Sequence, residues 1–564
     1  MRFRRLKIGV VFSFALGSSL GSTLARGAVS PKIPPSKIDR GVRLNVKRLR
    51  AHLKFLASDL LEGRGTGQRG GEVAAAYIAG EFERMGLAPA GEKGTFLQAV
   101  PLVGVTTDAA RSRYSVGLPS GARNLTWLDE IVGPSEVQGA TAEVSGEIVF
   151  TGHSALAPEE NWDDYKGMDL RGKVLLMLVD DPPPTAEEPN RFGGKARTYY
   201  GRWTYKLEMA RRMGAAAALL VHTDESAGYG WQVVRNSWGG EDKQSPNEAG
   251  RSRLGLAAWV SEPVAKEILG AAGKTLEELR NDAGKRTFHP VPLGVDFRAH
   301  VESSIRRIDS SNVLGLLPGH DPKKTDEWVV VTAHYDHLGV GNPDASGDRI
   351  YNGAVDNAAG AAALLELAET LASSKERPGR SVLFFSTTAE EAGLNGSEWY
   401  VEHPLHPLAK TAGLINVDSP PVRGEVEEVQ LMGAIRIDAA AELEGIVRGF
   451  DLVSVPDPAP EQGGFYRSDH FPFAKKGVPA VNVKSGRKYR GHERSFGDAL
   501  FDEYEKKHYH QPSDEFDPAW ELEGTAQMGE LMRRIVMLFG NRRAMPSWKA
   551  GDEFEEARKT SLGR

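Results

Sequence analysis

The sequence predicts an α/β protein with a mixed, largely parallel sheet flanked by helices. Two observations predict it. From about residue 301, short apolar runs of strand length alternate with helical patterns, the texture of a doubly wound sheet. Most of the polar residues able to do chemistry stand at the C-terminal ends of those runs, where open α/β sheets carry their sites. Gly is also frequent, 63 of 564 residues with no Gly-X-Y period, which suits a loop-rich α/β chain and excludes collagen.

In chain order, residues 1–7 carry Arg2, Arg4, Arg5 and Lys7, residues 8–16 are apolar, and Thr23-Leu24-Ala25 ends the run on a small residue. This reads as a signal peptide over 1–25, followed by an extended leader over 26–42 with Pro31, Pro34 and Pro35. The alternative, an uncleaved anchor helix, conflicts with a run that is short and diluted by Gly and Ser. Export to the periplasm or the medium is therefore expected, with no stable membrane anchor. Residues 43–121 form the N-terminal part of the main domain. Leu49, Leu53, Leu56, Leu60 and Leu61 carry helical spacing, and Val73, Ala76, Ile78 and Phe82 mark a second helix over 72–85, closed by Gly86.

Over 122–295 the texture changes to β-like runs at 142–151, 173–179, 216–222 and 256–260 between Pro- and Gly-rich loops, with one helix at 203–213. This predicts a small inserted β-rich α/β domain. Residues 296–545 form the main part, with strands at 328–332, 381–386, 414–417 and 479–483 and helices at 358–373, 397–402 and 528–539. Residues 546–564 read as a polar tail with solvated charges.

The chain has no cysteine, so disulfides, cysteine-ligated metals and cysteine nucleophiles are excluded, and a metal would need His, Asp and Glu. A net charge of −6 excludes nucleic-acid binding through a global basic field.

The candidate site residues are weak singly. An apolar run ends in His334-Tyr335-Asp336, whose His and Asp share one side of an extended chain. Asp356 stands before a helix and alone reads equally as its N-cap. Glu390 and Glu391 are adjacent carboxylates, which repel unless cations or a shared proton settle them. Asp418 ends a further apolar run, and His510 lies in a turn before Pro512. Together, His334, Asp356, Glu391, Asp418 and His510 offer two imidazoles and three carboxylates, a donor set for two divalent ions. Such a pair would polarise a carbonyl and acidify a water, with Glu390 as general base and acid.

At these residues the chain resembles the secreted zinc exopeptidases of the aminopeptidase and glutamate carboxypeptidase family. The matching motifs, in order, are His334-Tyr335-Asp336, Asp356-Asn357-Ala358-Ala359-Gly360, Glu390-Glu391, Asp418 and Tyr509-His510. The resemblance implies a zinc exopeptidase-like fold and two Zn(2+) per chain. Asp356 would bridge them, His334 and Asp418 would serve one ion, and Glu391 and His510 the other. Asp336 would orient His334, and Glu390 would act as general acid/base. The segment Ser468-Asp469-His470-Phe471-Pro472-Phe473 resembles the family's substrate side, with Tyr466, Asp469 and His470 as substrate-binding candidates. The stretch 62–67 resembles the family's link between opening helices, and the inserted region resembles a protease-associated domain, a lid, substrate filter or partner site. The partners implied are peptide or protein substrates, and aminopeptidase activity is expected ahead of carboxypeptidase activity. A carboxypeptidase of the glutamate type would use an Arg cluster, for which Arg467, Arg487, Arg490 and Arg494 are available. A non-catalytic receptor-like relative and a glutaminyl cyclase-like enzyme are the alternatives.

Overall fold

The computed structural model describes residues 43–563. The expected signal peptide and leader lie outside the described residues. The centre of the main sheet is four parallel strands in the order Ser381–Thr387, Trp328–His334, Thr411–Val417 and Ala480–Ser485. The first three are buried along their whole length, which is why they read as continuous apolar runs instead of alternating ones. On one flank the end of the strand Val291–Leu317 pairs antiparallel with Ser381–Thr387, and Leu97–Thr107 pairs antiparallel with it in turn. On the other flank Glu428–Met432 runs antiparallel to Ala480–Ser485. The sheet is thus mixed with a parallel centre.

Helices Ala359–Ser373 and Glu523–Asn541 pack together on this sheet, and Asn395–Glu402 packs with His470–Lys475. Ala359–Ser373 is buried almost all round, including Glu366. That carboxylate is paired: it accepts Arg48 Nε at 2.8 Å, Arg48 Nη2 at 2.7 Å and the Asn45 amide at 2.7 Å. A buried charge of this kind needs such partners, and here they tie the first helix, Val46–Leu56, to the core. Among the described residues no helix is long and apolar enough to cross a membrane.

Val291–Leu317 is 27 residues long and belongs to two sheets. Its first half pairs with Arg113–Leu118 and Thr141–Phe150. Beyond Thr141–Phe150 lie Val174–Leu178, Ala217–Val221 and Leu256–Val260, mutually parallel. The second sheet therefore draws on residues 113–302, a wider span than composition marks. The strand passes from one sheet to the other between Glu302 and Ser303, where the sequence has no Pro- or Gly-rich break.

The C-terminal residues are not a solvated tail. Trp548 and Phe554 are buried, and the Arg436 guanidinium lies 5.0, 5.3 and 4.7 Å from the ring centres of Phe465, Trp548 and Phe554. Arg436 also pairs with Asp552 at 2.7 Å, and buried Arg558 donates to the carbonyls of Thr411 at 3.0 Å and Pro546 at 3.1 Å. The close approach needs Gly477, where a Cβ would stand 2.3 Å from the Arg558 amide.

In the second sheet region His153 is buried, with Nδ1 against the Asp180 carbonyl at 3.1 Å. Burial, reinforced by the Lys206 charge, pushes its pKa down to about 3. The folded protein therefore keeps His153 neutral where the unfolded chain protonates it. Stability is lost as pH falls below about 6.5 towards about 3, at up to about 1.4 kcal/mol per pH unit. Burial pushes Asp164 and Asp181 up to about 7, which acts with the opposite sign over the same range. The comparison with a variant isolates the histidine: His153→Gln should lose less thermal stability between pH 6.5 and 4.5 than the parent, and parallel melting curves would count against this assignment.

Candidate metal centre

The parallel strands deliver the site at their C-terminal ends. His334 closes Trp328–His334 and is buried. Its Nε2 lies 3.3 Å from Asp356 Oδ1 and 3.7 Å from Asp418 Oδ1. Asp418 follows Thr411–Val417 directly. His510 Nε2 lies 3.4 Å from Asp356 Oδ2 and 3.1 Å from Glu391 Oε2, and it is buried without a hydrogen bond. The two oxygens of Asp356 thus face different imidazoles.

Asp356 is free to do this because Asn357 takes the structural role. Asn357 Oδ1 accepts the Gly360 amide at 3.1 Å and the Ser419 amide at 3.1 Å. The N-cap reading of Asp356 is therefore replaced by one for its neighbour. The Asp356 loop is held by Asp514, whose carboxylate accepts the amides of Val355 at 3.0 Å and Asp356 at 3.1 Å.

The spacing fits a metal. Ligand bonds of about 2.0–2.1 Å in a tetrahedron put donor atoms about 3.3 Å apart. The four contacts above run from 3.1 to 3.7 Å. Groups of three donor residues drawn from His334, His337, Asp356, Glu390, Glu391 and Asp418 also have ligand atoms within 4.8 Å of one another. Imidazole with carboxylate suits zinc.

Residues 312–536 match Peptidase family M28. The chain carries a Peptidase family M28 domain. It is 34% identical over 132 residues to Aminopeptidase NAALADL1 of Mus musculus, covering 22% of this chain and 16% of that protein. It is 26% identical over 397 residues to the Glutamate carboxypeptidase 2 homolog of Caenorhabditis elegans, covering 61% and 46%. With Aminopeptidase YwaD of Bacillus subtilis (strain 168) it shares 28% identity over 262 residues, covering 44% and 50%. The matches thus span half or less of each of these relatives. The solved structure of the aminopeptidase from Aneurinibacillus sp. strain AM-1 aligns over 89% of this chain and 96% of that one, at 17% identity and a TM-score of 0.45.

Within the M28 domain the carboxylates exceed the cations, and this sets the electrostatics. Burial opposes charge on His334, but Glu390, Asp356 and Asp418 outweigh it and hold the imidazole well above its ordinary pKa. Burial raises the Glu390 carboxyl well above the usual range; His334 opposes this, and Glu391, Asp418 and Asp469 add to it. The Glu390 amide donates to Asp336 Oδ1 at 3.2 Å, and Thr66 Oγ1 donates to Asp336 Oδ2 at 2.9 Å. The Asp336 carboxylate thus holds the Glu390 amide in place. The contact that orients His334 is different: Nδ1 meets the Asp336 backbone carbonyl at 3.2 Å, with the carboxylate 3.9 Å away.

The substrate-side candidates divide. Tyr466 is buried and its hydroxyl donates to Glu553 at 2.7 Å. His470 is buried against Phe465, and burial pushes it down to about 3. Asp469 accepts from Thr387 Oγ1, at the end of the strand before Glu390, and burial pushes it up to about 6. Of the four candidate arginines, Arg487, Arg490 and Arg494 lie within 4 Å of Asp498, Glu425 and Glu428, respectively.

The sequence leaves His337 open between supporting the site and filling the core, and it gives Asp514 and Arg64 no role of their own. His337 Nδ1 holds Glu391 Oε1 at 2.7 Å. Asp514 holds the Asp356 loop. Arg64 is buried and donates to the carbonyls of Tyr335 at 2.7 Å, Leu56 at 2.6 Å, Asn352 at 2.6 Å and Gly353 at 2.9 Å. His337 stands one residue beyond His334-Tyr335-Asp336, and Arg64 lies within the stretch 62–67.

Proposed function

We propose that the protein is an exported zinc exopeptidase that releases terminal residues from peptides, using two zinc ions and acting as an aminopeptidase. The observation that carries this is Asp356, whose Oδ1 faces His334 and whose Oδ2 faces His510. One carboxylate directed at two imidazoles suits a shared ligand. His334 and Asp418 would complete one half, and Glu391 and His510 the other. Bound zinc supplies polarisation of a carbonyl and acidification of water.

The chain's own residues supply the rest. Glu390 takes the proton of the attacking water and returns it to the departing amine. Asp336 holds Glu390 through its amide, and His337 fixes Glu391. The sheet built from residues 113–302 is proposed to be a protease-associated domain acting as a substrate filter. Relatives named aminopeptidases support the polarity, while the Glutamate carboxypeptidase 2 homolog keeps a carboxypeptidase as second reading.

The test is hydrolysis of a panel of free-amine, N-blocked and C-amidated peptides by the zinc-loaded protein. Cleavage that needs a free N-terminus is the expected result. Cleavage that needs a free C-terminus would move the activity to a carboxypeptidase, and no release from any peptide would overturn hydrolysis.

A further inference from the structure

The register of the parallel strands brings one cation into the row of proposed ligands. His334 pairs with Thr387 on the neighbouring strand. Thr332 pairs with Asn416 on the other side, which sets Asp418 beside His334 one step further along. Val417 pairs with Val483, which sets Lys484 beside Asp418. Residues two apart on a strand share a face, and aligned partners in parallel strands do too. His334, Asp418 and Lys484 therefore leave the same face of the sheet at the same end.

Lys484 is half-buried and, among the described residues, has no hydrogen bond from its ammonium and no carboxylate within 4 Å. Lys410, Lys475 and Lys476 pair with Asp326, Glu208 and Glu402, and Lys488 reaches the His492 carbonyl. The titratable neighbours that feel Lys484 are Asp418, His470 and Glu505, the last on the helix Arg494–Lys507. Glu505 in turn feels Arg467, the one candidate arginine without an ion pair, whose Nε donates only to the Gln462 carbonyl at 3.1 Å. Arg467 also faces Tyr509, the ring stacked on His510 at 3.9 Å.

Lys484 thus stands beside Asp418 in the row of proposed ligands, and Arg467 has no carboxylate within 4 Å among the described residues. A lysine beside Asp418 opposes metal binding there, since like charges repel. A bound group that carries negative charge would offset that repulsion. We propose that Lys484 is a specificity-determining residue that pairs with a carboxylate of the peptide substrate, with Arg467 as the second cation. This rests on the hydrolytic reading above. The carboxylate has two possible sources, the free C-terminus of a short peptide or an acidic side chain next to the scissile bond.

The experiment compares Leu-Ala, Leu-Ala-amide and Leu-Glu-amide. Binding is measured by calorimetry on zinc-loaded Glu390→Gln protein with and without Lys484→Met, and KM and kcat on the zinc-loaded parent and Lys484→Met. The expected result is about tenfold tighter binding of a carboxylate-bearing peptide than of Leu-Ala-amide, lost in Lys484→Met, while Leu-Ala-amide changes by less than about twofold. Preference for Leu-Ala identifies the C-terminal carboxylate, and preference for Leu-Glu-amide the acidic side chain. Equal weakening of all three peptides, a change in zinc content, or no preference in the Lys484 background overturns the proposal. If the carboxylate preference is present in binding but the parent releases nothing from any peptide, hydrolysis fails and the Lys484 assignment stands.

Discussion

Glu390→Gln is expected to lower peptide hydrolysis by roughly 100- to 10,000-fold, the range for removing a positioned general acid–base. Its zinc content and melting temperature should stay near those of the parent. Glu390 comes from the strand Ser381–Thr387, and its amide is fixed by Asp336 at 3.2 Å, a contact that a glutamine keeps. The amide side chain is close to isosteric but cannot accept the proton. A steady-state assay beside metal analysis checks this. A loss of zinc would make Glu390 a ligand, and retained turnover would remove it from the proton transfer.

Arg64→Met is expected to have the largest effect on stability. The guanidinium is 1% exposed and satisfies the carbonyls of Tyr335, Leu56, Asn352 and Gly353. Burial lowers its pKa to about 10, with Asp336, Asp514, Asp356 and Glu391 opposing, so it stays cationic at neutral pH. Each stranded buried carbonyl costs about 1–3 kcal/mol. For four, a loss of at least about 4 kcal/mol and, in a chain of this length, a fall in Tm of roughly 4 °C follow. Tyr335 adjoins His334 and Gly353 begins the Asp356 loop, so zinc content should fall as well. Calorimetry with metal analysis measures both. A Tm change below about 2 °C with full zinc content would show that Arg64 supports neither.

The proposed ligands were legible because each stands in a local pattern: an apolar run ending in a polar residue, or a carboxylate before a helix. Their combined donor set, and the resemblance of their order and spacing to the zinc exopeptidases, then made five weak signals into one. Arg64 and Asp514 were not legible, because their roles lie in contacts with segments 271 and 159 residues away. Asp336 stands beside His334 as expected, and its carbonyl at 3.2 Å lies nearer the imidazole than its carboxylate at 3.9 Å. The choice between Tyr466 and His470 stays open in the sequence, and the contact of the Tyr466 hydroxyl with Glu553 at 2.7 Å lies in a segment whose composition is polar. That same segment hides Trp548 and Phe554, whose burial depends on the Arg436 stack and could not be read from charge.

The most direct test of the central claim is zinc per chain, measured by mass spectrometry of the metal in purified protein. Two ions per chain are predicted, falling in Asp356→Asn because both halves of the centre share that residue. One ion or none in the parent, or two retained in Asp356→Asn, would contradict the shared-carboxylate centre.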